Sequence, residues 1–89
     1  MIEPRFTWSA KARGYFSEAF VLEEQATVYL ELASRAPVVT LKKEKDGRYG
    51  IYGQSPRNSD AYKIRMTSTH KVTIKLAVPV EVKKCYVIN

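Results

Sequence analysis

The sequence predicts an all-β chain: a single small antiparallel β-sandwich, jelly-roll or Ig-like, of about seven to eight short strands. Three observations carry that expectation. Residues 61–82 alternate with period two. Tyr62, Ile64 and Met66 oppose Lys63, Arg65 and Thr67, and then Val72, Ile74, Leu76 and Val78 oppose Lys71, Thr73 and Lys75. Such alternation of β-branched and aromatic with polar residues marks half-buried strands. Asp46-Gly47 lies between extended segments, and glycine accepts the positive φ of a tight hairpin. The remaining apolar runs are short and bounded by turns, with no secure helix.

The elements follow in order. Residues 1–13 form an N-terminal arm or first edge strand, and residues 14–89 form the sandwich domain. Pro4 interrupts any ladder there, while Phe6 and Trp8, two apart, put both rings on one face of a short strand. Residues 15–22 make the next strand, with Phe16, Phe20 and Leu22 inward and Glu18 as the exception. A helix over residues 17–26 competes with it. The alternation of Val28, Leu30 and Leu32 against Thr27, Tyr29 and Glu31 in residues 26–33 favours strand. A turn at residues 34–37 precedes a strand over 38–44, and the hairpin at residues 45–48 returns the chain through residues 48–53. Gly50 and Gly53 in that return suggest a bulge or a close backbone approach. Residues 54–60 are polar throughout and read as an exposed loop. After the paired strands of 61–82, Pro79 makes a break and residues 80–88 close the chain. Lys84 there falls on the parity of Val80, Val82, Tyr86 and Ile88. That placement requires an uncovered face or a bulge that shifts the register.

Composition bounds the function. With 89 residues the chain makes one domain, able to bury roughly 60–65% of its unfolded surface. Its 45% hydrophobic and 27% charged residues are ordinary for a globular domain and argue against disorder. A net charge of +6 favours anionic partners: nucleic acid, an anionic membrane face or an acidic protein surface. The one cysteine, Cys85, excludes an intramolecular disulfide and a cysteine-based zinc site. No signal-peptide pattern and no apolar run of ~20 residues is present, so cytoplasmic synthesis is expected.

The residues that chemistry needs do not converge. His70 is alone in a Ser-Thr-His-Lys turn, Cys85 reads as a buried thiol, and the carboxylates are scattered. Catalytic and metal sites need several convergent groups, so the expectation is no enzyme, no cofactor and no metal. The three glycines at 47, 50 and 53 resemble no phosphate loop, since no helix follows them. The basic residues are more informative. Lys63, Arg65, Lys71, Lys75 and Lys83 all fall on outward parities, and form one positive face if their strands are neighbours. Lys42, Lys43, Lys45, Arg48 and Arg57 gather at the hairpin end, with Tyr49, Tyr52 and Tyr62 among them. Cations interleaved with aromatics suit single-stranded nucleic acid. The plainer reading is that they keep exposed strands solvated and protect edges.

The order of segments over residues 26–82 resembles small β-sandwich modules of tailed-bacteriophage virions: head decoration proteins, head fibres and tail appendages. Those modules carry a VTLQ-S-DGG-W hairpin followed by a YRLRVTS-T-GTVTV strand pair. Val39-Thr40-Leu41 and Asp46-Gly47 match the first, and residues 62–67 and 72–76 match the second. Arg48-Tyr49 stands where a second glycine and a tryptophan are usual, and His70-Lys71 replaces the glycine of the last turn. The resemblance implies a non-enzymatic virion component that oligomerises or docks on capsid or tail proteins. Its expected contacts are Phe6 and Trp8, Arg57 and Asn58 of the loop, and Lys63, Arg65, Lys71, Lys75 and Lys83. No membrane or small-molecule partner is expected. The alternative is a basic nucleic-acid-binding β-barrel using Lys63, Arg65, Lys71 and Lys75, and a third reading is an inhibitor of an acidic host protein.

Overall fold

The computed structural model describes residues 1–34, 39–43, 47–51, 59–76 and 79–89. Among these residues the chain is all-β, with nine strand segments: β1 (Phe6–Ser9), β2 (Gly14–Ser17), β3 (Phe20–Leu22), β4 (Gln25–Leu32), β5 (Val39–Lys43), β6 (Gly47–Ile51), β7 (Ser59–Arg65), β8 (His70–Leu76) and β9 (Val82–Ile88). All pair antiparallel. A six-stranded sheet runs β1-β2-β8-β5-β6 with β3 also on β8, and a three-stranded sheet runs β7-β4-β9.

The period-two pattern explains why these sheets face each other. Val28 and Leu30 of β4 and Val87 of β9 are buried from the small sheet. Leu22, Leu41, Val72, Ile74 and Leu76 are buried from the large one, and all eight belong to a single cluster. Each such side chain contributes about 1.5–3 kcal/mol on full burial. The two sheets are therefore layers of a sandwich-like arrangement, with outer faces pointing away from each other.

Chain ends and crossovers tie the layers together. Ile2 donates from its N–H to the Val87 carbonyl at 2.9 Å, and the Val87 N–H donates to the Ile2 carbonyl at 2.7 Å. The chain then passes a buried Pro4 and pairs as β1 with β2. The first nine residues thus join an edge of the small sheet to an edge of the large one. At the opposite end of the chain, the Asn89 side chain accepts from the Glu23 N–H at 3.0 Å and donates to the Val21 carbonyl at 3.1 Å. It pins the crossover from β3 to β4. Thr69, in the neighbouring crossover from β7 to β8, donates to a Glu23 carboxylate oxygen at 2.8 Å.

Two register shifts correct the sequence reading. The expected strand over residues 15–22 is two segments, because one extra residue enters between them. Tyr15 and Phe16 pair with Leu76 and Lys75, whereas Phe20, Val21 and Leu22 pair with Val72, Lys71 and His70. The bulge inverts parity, so Ser17 is buried and Phe16 turns outward beside Lys75, contrary to the expectation that Phe16 faces the core. Ser17 Oγ accepts from the Ile74 N–H at 2.7 Å and donates to the Glu18 carbonyl at 2.9 Å. It supplies the acceptor for a buried donor that the broken ladder misses. The second shift falls between Glu31 and Leu32, where Leu32 pairs with Val82 and Glu31 with Lys84. This is the bulge that Lys84 required. It puts Cys85 and Val87 in the core and turns Tyr86 and Ile88 outward.

Smaller differences follow from the ladders. Ser59 and Asp60, expected in the loop, begin β7, and the last strand begins at Val82 rather than Val80. The competing helix over residues 17–26 is absent: β2, β3 and β4 account for most of it. Pairing runs unbroken from Val39 with Ile51 to Lys43 with Gly47, so Gly50 marks no bulge. The expected hairpin is present in that register, but its turn residues Lys45 and Asp46 lie outside the described residues, as do the turn at 35–37 and residues 52–58.

Replacing Ser17 by Ala leaves the Ile74 N–H buried without an acceptor, and should lower stability by about 1–3 kcal/mol in urea unfolding. An unchanged midpoint would show that the bulge does not depend on this side chain. Burial pushes the Cys85 thiol up from 9.0 to about 12. Below pH 9 folded and unfolded chains both hold the proton, so the thiol adds no pH dependence. Between 9 and 12 the unfolded chain releases it first, and stability falls as pH rises. A Cys85→Val variant should show a shallower loss over that window, and equal slopes would contradict the burial.

Candidate functional site

Among the described residues, the outer face of the three-stranded sheet brings together cationic, aromatic and aliphatic side chains. The register builds it in cross-strand rows. Lys63, Thr27 and Ile88 form one row, Ala61, Tyr29 and Tyr86 the next, and Glu31 and Lys84 stand opposite each other in the third. Arg65 extends the first end, opposite Gln25. Alternation alone places Lys63 and Arg65 outward on β7, since Ile64 and Met66 are buried. The bulge at Lys83 and Lys84 places Tyr86 and Ile88 outward on β9.

Tyr29 and Tyr86 stack with ring centroids 4.7 Å apart and planes at 21°. The Lys84 ammonium lies 5.6 Å from the Tyr86 ring centroid, within cation–π range. Ile88, 51% exposed, adds an aliphatic side chain to this face. At the Lys63 end the face opens into a cleft of about 450 Å³ lined by Gln25, Thr27, Lys63, Arg65, Ile88 and Asn89, together with Ala26 and Ile64. The Asn89 carboxamide, on one side of the cleft, is hydrogen-bonded to the Glu23 N–H and the Val21 carbonyl.

The expected contact residues do not form one face. Lys63 and Arg65 lie on β7 and Lys83 on β9, in the small sheet, while Lys71 and Lys75 lie on β8 in the large one. The two groups look in opposite directions, because β7 and β8 follow each other in sequence but belong to different layers. The single positive face is therefore two. Lys75 sits over Phe16 with its ammonium 5.5 Å from the ring centroid. Phe6 is partly buried against the core. Trp8, 46% exposed, makes an edge contact with Tyr15 at 5.2 Å on the open margin of the large sheet. Arg57 and Asn58 lie outside the described residues. His70 opens β8, its Nε2 3.1 Å from Ser68 Oγ. Among the described residues no group of three or more His, Cys, Asp or Glu is placed to hold a metal ion.

Tyr86, Ile88 and Lys84 were not among the expected contacts. The outward parity of Tyr29 and the anomalous parity of Lys84 were the available signals, and joining them requires knowing that β9 pairs with β4. No family model, curated protein or solved structure matches this chain. No helix among the described residues is long and apolar enough to cross a membrane.

Trp8, the one tryptophan of the chain, reports on the large sheet's edge. Its emission should be that of a solvated indole and should be readily quenched by acrylamide. A blue-shifted, protected emission would contradict the exposed edge.

Proposed function

We propose that the chain is a non-enzymatic interaction module. It acts as a virion component of the tailed-bacteriophage kind it resembles, a capsid decoration, head fibre or tail appendage. It docks through the outer face of its three-stranded sheet on an acidic protein surface of the particle. The observation that carries docking is the half-buried Tyr29–Tyr86 stack on the outer face with the exposed Ile88, ringed by Lys63, Arg65 and Lys84. Aromatic residues and arginine are enriched at protein interfaces, and an apolar centre with a charged rim is their usual anatomy. A second copy of the chain would meet it at the open margin of β1, where Trp8 projects.

Nucleic acid is the second reading, favoured by the same cations and tyrosines. Base stacking needs an open ring face. Tyr86 has Tyr29 against it and Lys84 near its ring, and this ranks protein ahead.

The test is density-gradient separation of virus particles from a lysate of the source culture, followed by immunodetection of the chain. Co-migration with the particles is expected. A Tyr29→Ala, Tyr86→Ala double variant with native circular dichroism should remain unattached in the soluble fraction. Wild-type chain found only in the soluble fraction would overturn the virion reading, and a double variant that still migrates with particles would overturn the face.

A further inference from the structure

We infer that the cleft between β7, β4 and β9 receives a carboxylate side chain from an acidic peptide segment of the protein partner, with a neighbouring apolar side chain of that segment resting on Ile88. The inference rests on the docking reading above and adds the chemistry of what is docked.

The cleft supplies what such a segment needs. Lys63 and Arg65 occupy consecutive outward positions of β7, about 7 Å apart along the strand. Neither makes an ion pair with another described residue, and no Asp or Glu lines the cleft. Arg presents a planar fork that grips a carboxylate through two parallel hydrogen bonds, and Lys adds a mobile point charge. Ile88 stands opposite across Thr27, in the same row as Lys63. A ligand therefore meets cations on one wall and an exposed aliphatic surface on the other.

Partial burial strengthens this pairing. A carboxylate held in a concave site is screened less by salt than one on an open surface. The backbone under the cleft is fixed: β4 and β7 are paired from Gln25 with Arg65 through Thr27 with Lys63. The Asn89 side chain is tied on both its amide groups to the β3–β4 crossover. The site is thus largely preformed, and little ordering is needed on binding.

Nucleic acid would bring phosphate to the same cations, and it is the competing outcome. Its bases need stacking platforms, and the cleft walls are aliphatic and polar.

The experiment is a ¹H–¹⁵N NMR titration of the full chain with a blocked tetrapeptide of alternating leucine and glutamate. A peptide with glutamine in place of glutamate and a short oligo-deoxythymidine serve as comparators. The glutamate peptide is expected to move the amides of Thr27, Lys63, Arg65, Ile88 and Asn89, and to bind at least about tenfold more tightly than the glutamine peptide. A Lys63→Gln, Arg65→Gln variant, folded by its spectrum, should lose that preference, and an Ile88→Ser variant should weaken both peptides. Equal binding of the two peptides, shifts confined to other surfaces, or tighter binding of the oligonucleotide would each overturn the inference. Failure here is separable from failure of the docking reading: particle attachment lost in the tyrosine double variant but kept in the Lys63, Arg65 variant would remove the cleft and leave the face.

Discussion

The hydrogen bond from the Ile74 N–H to Ser17 Oγ is the contact on which the layering depends. β8 is flanked by β2 and β3 on one side and by β5 on the other, and its Val72, Ile74 and Leu76 form the middle of the core. Strand pairing tolerates no slip here, because a one-residue shift would exchange the buried and exposed faces. The chain nevertheless inserts one residue between Phe16 and Phe20. Ser17 absorbs the insertion by supplying a side-chain acceptor where the main chain has none. Phe20 and Leu22 can then return to the core that Phe16 has left.

The same device on the other sheet creates the surface of interest. Without the shift at Glu31 and Leu32, the even positions of β9 would continue inward from Val82 and bring Lys84 with them. A lysine in the core is far costlier than a bulge. The shift expels Lys83 and Lys84, buries Cys85 and Val87, and leaves Tyr86 and Ile88 on the outside. The outward Tyr86 and the exposed Ile88 are thus a direct result of how the strand avoids burying charge.

Much of this fold was legible in the sequence. The alternation in β4, β7 and β8 is clean, and its described inward residues are buried, Tyr62 only partly. Asp46-Gly47 announced the β5–β6 pair. Legibility failed where parity changed within a strand. Phe16 is apolar and fits an inward series, and nothing local says that the ladder breaks after Ser17. The site was harder still, since Lys63, Arg65, Lys71 and Lys75 share an outward parity and neighbouring segments. Only the crossover at residues 66–69 sends β8 into the opposite layer, and sheet membership is set by long-range packing, which period-two patterning does not encode.

The central claim is that the bulge in β9 brings Tyr86 beside Tyr29 on the outer face. Nuclear Overhauser contacts between aromatic rings test it most directly. Strong ring-to-ring contacts between Tyr29 and Tyr86, with Val87 methyls touching Val28, are the predicted result. Contacts from the Tyr86 ring to Leu41 or Ile74 in the core, with Val87 methyls silent toward Val28, would place β9 in the unshifted register and remove the face.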